Sequence, residues 1–291
     1  MNLGLALNLE YLAGKPVKQG DCVLLSKYGS VRAFLDLLKS RGINYIDIHN
    51  AYPESNSDFV SEAVKLVWGE GMKVSLHGGL KEYHGECDFL HIYPSLAGIM
   101  KEICKNQESI VIAVHAFSKK NIDIDNLANE TVKVITRWIE MIDTENLPVR
   151  FAVELNRARN IADPSVTCEG VLNLLARIGE KAGICWDMGH YYSNFLNNKG
   201  LFIPEAQFVN KTIHTHIHGI GAKGTHCPIT KESMAFIGEY ANMLYDAGYP
   251  GIYNMELSYE KFPPDNEIDA LILQSIENLK FVLSSIHYGM L

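Results

Sequence analysis

ICWDMGH (184–190) is an apolar run that ends in Asp187 and is followed, three residues later, by His190. Five other short runs also end in a histidine or a carboxylate: VSLH (74–77), IVIAVH (110–115), FAVE (151–154), IHTHIH (213–218) and IYNME (252–256). Short runs rich in apolar and β-branched residues are typical of buried strands in a parallel sheet. Side chains so far apart in sequence meet only if the fold gathers strand ends, as the C-terminal face of a (β/α)8 barrel does.

Such runs alternate with longer amphipathic segments along the whole chain. Strands are predicted at 3–8, 43–49, 71–77, 109–115, 149–154, 182–187, 211–218 and 251–256. Helices are predicted at 29–41, 57–70, 95–105, 125–143, 165–180 and 267–285, and a loop at 78–94. Eight units favour closure into a barrel over an open doubly wound sheet. We therefore expect an α/β fold, a single (β/α)8 TIM barrel in one domain over residues 1–291, with its active site at the C-terminal ends of the strands.

Composition indicates the class of protein and its compartment. The 291 residues, 47% of them hydrophobic, suit one large core, and the net charge of -8 disfavours nucleic-acid binding, which usually needs a basic surface. The six cysteines form no CxxC pair, which fits a reducing compartment. The N-terminal residues lack the basic segment of a signal peptide, and no apolar stretch reaches the roughly 20 residues that span a bilayer. We expect a cytoplasmic enzyme without a membrane partner.

The strand-end side chains form a candidate metal site, because carboxylates and imidazoles are ligands of divalent metals. The candidates are His77, His115, Glu154, Asp187, His190, His216 and Glu256, with His226 in a later loop. Each has a structural alternative. A single glutamate at a strand end is usually solvated or salt-bridged, Asp187 could cap the next helix, and His77 and His115 could be core or rim histidines.

Three histidines alternate along the seventh predicted strand. His214, His216 and His218 share one face of that strand, since side chains two residues apart point the same way. All three therefore point into the barrel or none does. We take His216 as the ligand, His214 as a hydrogen-bonded core residue deeper in the barrel, and His218 as a residue of the rim.

The loop after this strand reads GIGAKG (219–224), which contains the letters GxGxxG. A dinucleotide-binding loop needs a first strand before it and a helix directly after it, and here THCPIT (225–230) follows late in the chain, so we reject that interpretation. Barrels often bind phosphate on the loops after strands seven and eight. Gly221 and Lys223 are therefore candidate phosphate-binding residues, and a flexible loop is the alternative.

The segments FAVELN (151–156), ICWDMGH (184–190), HIHG (216–219) and YNMEL (253–257) resemble the xylose isomerase-like barrel superfamily. That superfamily includes sugar phosphate isomerases and epimerases and the endonuclease IV type of DNA repair enzymes. The resemblance covers nearly the whole chain, in the order and spacing of these segments.

The resemblance implies specific site residues. In the isomerases and epimerases one divalent metal is held by the residues that match Glu154, Asp187, His216 and Glu256, and His190 matches a histidine that touches substrate hydroxyls. The endonuclease IV type has three zinc ions and adds histidines that match His77 and His115. Its third ion also uses an Asp-x-His pair, of which His226 matches the histidine, whereas Gly224 stands at the aspartate position.

The resulting hypothesis is a metal-dependent isomerase or epimerase of a sugar, sugar phosphate or related polyol. Glu154 and Glu256 would move the proton, His190 would orient a hydroxyl, and the metal would stabilise an enediolate. Mn²⁺ or Zn²⁺ suits the mixed oxygen and nitrogen ligands best, with Mg²⁺ or Co²⁺ as alternatives. The expected partner is a small sugar-like molecule, and a homo-oligomer stays open. The alternative function is a multinuclear zinc phosphodiesterase of the endonuclease IV type.

Overall fold

The fold is a closed barrel of parallel strands. The computed structural model describes residues 2–49, 57–78, 109–144, 146–263 and 267–289. The barrel strands are β1 (Leu3–Asn8), β2 (Tyr45–His49), β3 (Lys73–His77), β4 (Ile110–Val114), β5 (Val149–Glu154), β6 (Ala182–Asp187), β7 (Thr212–Ile217) and β10 (Tyr253–Met255). They follow one another around the barrel, and β10 closes it by pairing with β1 and β7. The predicted (β/α)8 barrel is confirmed.

Helices separate the strands along the chain. They are α1 (Leu9–Leu12), α2 (Gln19–Tyr28), α3 (Val31–Ser40), α4 (Ser57–Gly69), α5 (Ile124–Thr144), α6 (Cys168–Ile178), α7 (Met188–Leu196), α8 (Ala206–Asn210), α9 (Lys231–Asp246) and α10 (Ile268–His287). The loop predicted at 78–94 lies outside the described residues except at its first position, and the helix predicted at 95–105 lies wholly outside them. None of the described helices is both long and apolar enough to cross a membrane.

Alternation along each strand separates the core from the site. On the outer face, Phe151 of β5 packs against Trp138 of α5 with ring centroids 5.5 Å apart. On the inner face, Ala113, Ala152 and Cys185 belong to a small buried cluster that is separate from the main core. Side chains two residues apart share a face. The residues that follow these three on the inner face are therefore His115, Glu154 and Asp187, at the C-terminal mouth of the barrel.

The sequence prediction missed several elements between the barrel strands. Helices α1 and α2 lie between β1 and α3, in a stretch for which we predicted no structure. The GIGAKG segment was considered as a phosphate-binding loop or a flexible loop. It instead forms most of an antiparallel hairpin, whose strands are β8 (Gly219–Gly221) and β9 (Gly224–Cys227). This hairpin stands at the barrel mouth directly after β7.

Candidate metal centre

Glu154, the last residue of β5, has four histidines around its carboxylate. Its Oε2 lies 3.2 Å from His77 Nε2, 3.1 Å from His115 Nε2 and 3.2 Å from His216 Nδ1. Its Oε1 lies 3.5 Å from His190 Nδ1. The fold therefore brings together side chains from β3, β5 and β7, from the residue that directly follows β4, and from the first turn of α7 after β6.

Glu256, directly after β10, approaches the same imidazole from the other side. Its Oε2 lies 3.0 Å from His216 Nδ1. Its Oε1 lies 3.4 Å from His49 Nδ1 and 3.4 Å from His226 Nε2. The nitrogen of His216 thus stands between two carboxylates, one from β5 and one from the end of β10.

Asp187 caps a helix and also faces the candidate site, two positions that the sequence analysis treated as alternatives. Its Oδ1 accepts a hydrogen bond of 2.6 Å from the His190 backbone N–H, so it caps α7. Its Oδ2 lies 3.2 Å from His190 Nδ1. The cap places the aspartate at the barrel mouth with its second oxygen beside the histidine. One carboxylate can therefore cap α7 through Oδ1 and face His190 through Oδ2.

The arrangement of these atoms fits a bound divalent cation. Both oxygens of Glu154, Oε2 of Glu256, and the Nδ1 atoms of His190 and His216 are buried and make no hydrogen bond among the described residues. Three pairs of these atoms nevertheless lie close together: Glu154 Oε1 and His190 Nδ1 at 3.5 Å, Glu154 Oε2 and His216 Nδ1 at 3.2 Å, and Glu256 Oε2 and His216 Nδ1 at 3.0 Å. Metal bonds of about 2.0–2.2 Å place neighbouring ligand atoms about 3.0–3.6 Å apart. Crowded atoms that do not bond one another, but face a shared space, are what ligands of one ion require.

The carboxylates and histidines of the site shift one another's pKa values. Burial alone would raise the pKa of Glu154, but the charges of His115, His216 and His77 hold that pKa well below its usual value. Burial would likewise lower the pKa of His216, yet the surrounding acidic groups, Cys185, Glu256 and Glu154 first among them, raise it well above the usual value. Without a metal, the raised pKa values of His115 and His216 favour protonated rings beside the ionised carboxylates. A cation would replace those protons.

The β8–β9 hairpin carries the remaining predicted site residues. His226 reaches the centre through its contact with Glu256. Lys223 Nζ instead donates hydrogen bonds to the backbone oxygens of Glu260 and Phe262, at 3.2 and 3.0 Å. A phosphate on Gly221 and Lys223 would compete with these two carbonyls, so their phosphate-binding role stays a prediction.

Gly224 has a structural reason to be glycine. Its φ of +93° lies in the left-handed half of the backbone map, and it pairs with Gly221 in the turn of the hairpin. A side chain there would be strained. A carboxylate at this position, as in the endonuclease IV type, is therefore absent from this chain and would strain the turn if it were introduced.

Two histidine assignments differ from the prediction. His218 is completely buried, so its placement on the rim is wrong: the hairpin covers it, and the His226 backbone N–H donates to its Nδ1 at 3.0 Å. His214 is buried as expected, but its ring nitrogens make no hydrogen bond within the described part of the chain. His49, the last residue of β2, lies at the site beside Glu256, at the end of the strand where the sequence also placed it.

Asp47 was missed, although the sequence holds a signal for it. The Asp47 carboxylate is fully buried inside the barrel, where it accepts a 2.7 Å hydrogen bond from Ser75 Oγ and lies 3.4 Å from His216 Nε2. In INYIDIH (43–49) it stands two residues before His49 and so shares its face. A carboxylate inside a predicted barrel is costly without partners, which marks it as a site residue.

No protein-family model and no curated protein matches the sequence. Solved structures do match. A D-tagatose 3-epimerase-like protein has a TM-score of 0.63 at 15% identity, covering 100% of both chains. A xylose isomerase domain protein from Alicyclobacillus acidocaldarius subsp. acidocaldarius has a TM-score of 0.65 at 14% identity, covering 99% of both chains. The fold is that of the xylose isomerase-like TIM barrels.

A third similar structure contains a metal ion. IolI protein, in a structure with a bound zinc atom, has a TM-score of 0.58 at 14% identity and covers 99% of both chains. The similarity to xylose isomerase-like barrels that the sequence motifs indicated is thus confirmed at the level of the fold. At these identities the matches carry the fold, and the chemistry has to be argued from the residues of this chain.

Proposed function

We propose that this protein is a metal-dependent isomerase or epimerase of a sugar, sugar phosphate or related polyol. The observation that carries the proposal is the pair of buried carboxylates, Glu154 and Glu256, whose oxygens approach His216 Nδ1 at 3.2 and 3.0 Å from different strands. Two ionised carboxylates that face one space can remove a proton from a substrate carbon and return it. The similarity to a D-tagatose 3-epimerase-like protein supports this class of reaction.

The residues that would hold the metal are Glu154, Asp187, His216 and Glu256. When bound, a divalent ion supplies Lewis-acid stabilisation of the negative charge that develops on substrate oxygens. Mixed oxygen and nitrogen ligands favour Mn²⁺ or Zn²⁺, with Mg²⁺ and Co²⁺ as alternatives. The zinc in the IolI structure supports Zn²⁺.

The protein's own side chains would carry the proton transfer. The histidines around Glu154 and Glu256 hold both carboxyl pKa values well below the usual value even though burial opposes this, so either group is ionised and can act as a base. Transfer of this kind typically contributes about 10²–10⁴-fold. His190 has no hydrogen bond on either ring nitrogen among the described residues and would orient a substrate hydroxyl.

Space for the substrate lies beside Glu256. A cavity of about 210 Å³ opens there, lined by polar side chains that include Asn8, Lys18, His49 and His226. Hydroxyl groups of a sugar-like molecule would find donors and acceptors on several of its walls. The cytoplasmic location and the single domain over residues 1–291 stay predictions from the sequence.

The test is exchange of substrate protons with solvent. Protein loaded with Mn²⁺ or Zn²⁺ is incubated in D2O with ketoses, aldoses and their phosphates, and deuterium uptake is followed by NMR. Glu256→Gln should lower the exchange rate by about 10²–10⁴-fold, whereas Glu277→Gln, at an exposed position of α10, should not change it. Loaded protein that exchanges no proton on any of these sugars would contradict the proposal.

One observation favours the second candidate, a zinc phosphodiesterase. His77 Nε2, His115 Nε2 and Glu154 Oε2 lie 3.1–3.2 Å from one another and could hold a second ion. Elemental analysis of loaded protein decides, since one equivalent favours the isomerase and two or three favour hydrolysis. We expect little cleavage of abasic-site DNA; cleavage at about 1–10³ s⁻¹, a turnover typical of enzymes, would establish the phosphodiesterase.

A further inference from the structure

We propose that His218 is a positioning residue, which holds the Asp187 carboxylate in the orientation that a metal ligand needs. The inference rests on the proposed metal centre and assigns a role to a residue outside the ligand set. His218 lies at the end of β7, two residues after His216, and is completely buried.

The contacts of His218 show which of its ring nitrogens faces Asp187. Nδ1 lies 3.0 Å from the His226 backbone nitrogen and 3.1 Å from the Gly219 backbone oxygen. Nε2 is the nitrogen beside the Asp187 carboxylate, which accepts only when it is ionised. Nε2 lies 3.0 Å from Oδ1 and 3.3 Å from Oδ2 of Asp187, to which it donates. His218 therefore acts through Nε2 as a donor to the Asp187 carboxylate.

This donor leaves Asp187 able to bind a metal. Oδ1 already accepts a hydrogen bond from the His190 backbone N–H at 2.6 Å, and His218 Nε2 is closest to the same oxygen, at 3.0 Å. An ionised carboxylate offers about four lone-pair sites, so Oδ2 keeps one directed towards His190 Nδ1, at 3.2 Å. Outer hydrogen bonds that orient a ligand typically change metal affinity about 10–100-fold.

Gly189 supplies independent support for this packing. A Cβ added there would lie 1.9 Å from Cε1 of the His218 ring. The ring thus fills the space over the first turn of α7 that a side chain at 189 would occupy. Its other face is covered by His226, whose ring stacks on it at a centroid distance of 4.3 Å. The His218 ring can therefore occupy this position only if residue 189 has no side chain, as Gly189 allows.

The first test compares two variants of similar size, His218→Leu and His218→Gln, in the full-length protein. Co²⁺ alone is the probe, titrated with its visible absorption as the readout. The leucine removes the donor, so we expect affinity about 10–100-fold lower and an altered spectrum. The glutamine keeps an N–H donor and should restore most of both. Equal Co²⁺ affinity and spectra in wild type and His218→Leu would overturn the inference.

A second test needs no metal. Gly189→Ala should displace the His218 ring and lower the unfolding midpoint in urea, and His218→Ala in the same chain should recover part of that loss by removing the clash. Losses that simply add would show that the two positions are independent, and would overturn the packing on which the inference depends. Wild-type protein that binds no Co²⁺ would refute the metal centre itself, which separates the two failures.

Discussion

At the scale of single residues, the strand-end pattern was informative because a parallel barrel places every strand end at one mouth. Glu154, His216 and Glu256 could be proposed together for this reason, and in the structure each carboxylate lies within 3.2 Å of His216 Nδ1. The burial of His218 could not be foreseen in the same way. It depends on the hairpin that folds back over β7, and pairing within that hairpin is not visible in a glycine-rich sequence.

Glu154→Gln should weaken metal binding by at least about 10–100-fold. The amide carries no negative charge, and it would replace a carboxylate that approaches His77, His115 and His216 together. Elemental analysis after dialysis against Zn²⁺ measures the effect, and Glu277→Gln on the exposed face of α10 is the control. Unchanged zinc content would mean that Glu154 is not a ligand.

At the scale of elements, prediction succeeded where a run had clear ends. The bounds predicted for β1, β5 and β6 are those observed, because each run stops at a polar residue or a turn. Helix α2 was missed because it buries only Asp21 and Leu24, so its sequence carries almost no helical period of apolar residues. The hairpin was missed because its strands are short and rich in glycine, which usually indicates a loop.

Lys223→Met should destabilise the hairpin rather than reduce anion binding. The ammonium group joins the hairpin to the backbone oxygens of Glu260 and Phe262, and losing such bonds at a partly exposed site costs about 1–2 kcal/mol. Urea unfolding measures the loss, with Lys231→Met, at an exposed position of α9, as the control. Lower affinity for inorganic phosphate, at unchanged stability, would instead support the phosphate site predicted from the sequence.

At the scale of the whole molecule, the barrel concentrates opposite charges in a buried space, so stability should depend on both pH and metal. The histidine pKa values of His115 and His216 are raised although burial opposes this, because acidic groups surround them, Glu154 first for His115 and Cys185 first for His216. Groups of this kind stabilise the folded state fully below their unfolded value of about 6.5 and lose that contribution as pH rises through the folded value. The lowered carboxyl pKa values of Glu154 and Glu256 also stabilise the folded state, and that contribution is lost as pH falls through the folded values.

Metal-free protein should therefore lose stability as pH rises from about 6 to about 9. The affinity for Zn²⁺ should instead increase over the same pH range, because the histidine protons must leave before the ion binds. Added Zn²⁺ should therefore stabilise the protein more at the higher pH. Urea midpoints measured at both pH values, with EDTA and with Zn²⁺, test this. A metal-free protein that is equally stable at both values would contradict the charge balance described for the site.

The left-handed turn at Gly224 also limits how this barrel could change its reaction. A Cβ at that position would lie 3.4 Å from Nη1 of Arg157, whose guanidinium otherwise donates to Thr225 Oγ1 at 3.2 Å. An aspartate introduced there would be strained and would pair with the arginine before it could reach a third ion. Gly224→Asp alone should add no zinc equivalent, whereas adding Arg157→Met should free the carboxylate to bind one. Evolution from this chain towards a three-metal hydrolase would thus have to pass through an intermediate with little benefit, since two substitutions are needed together.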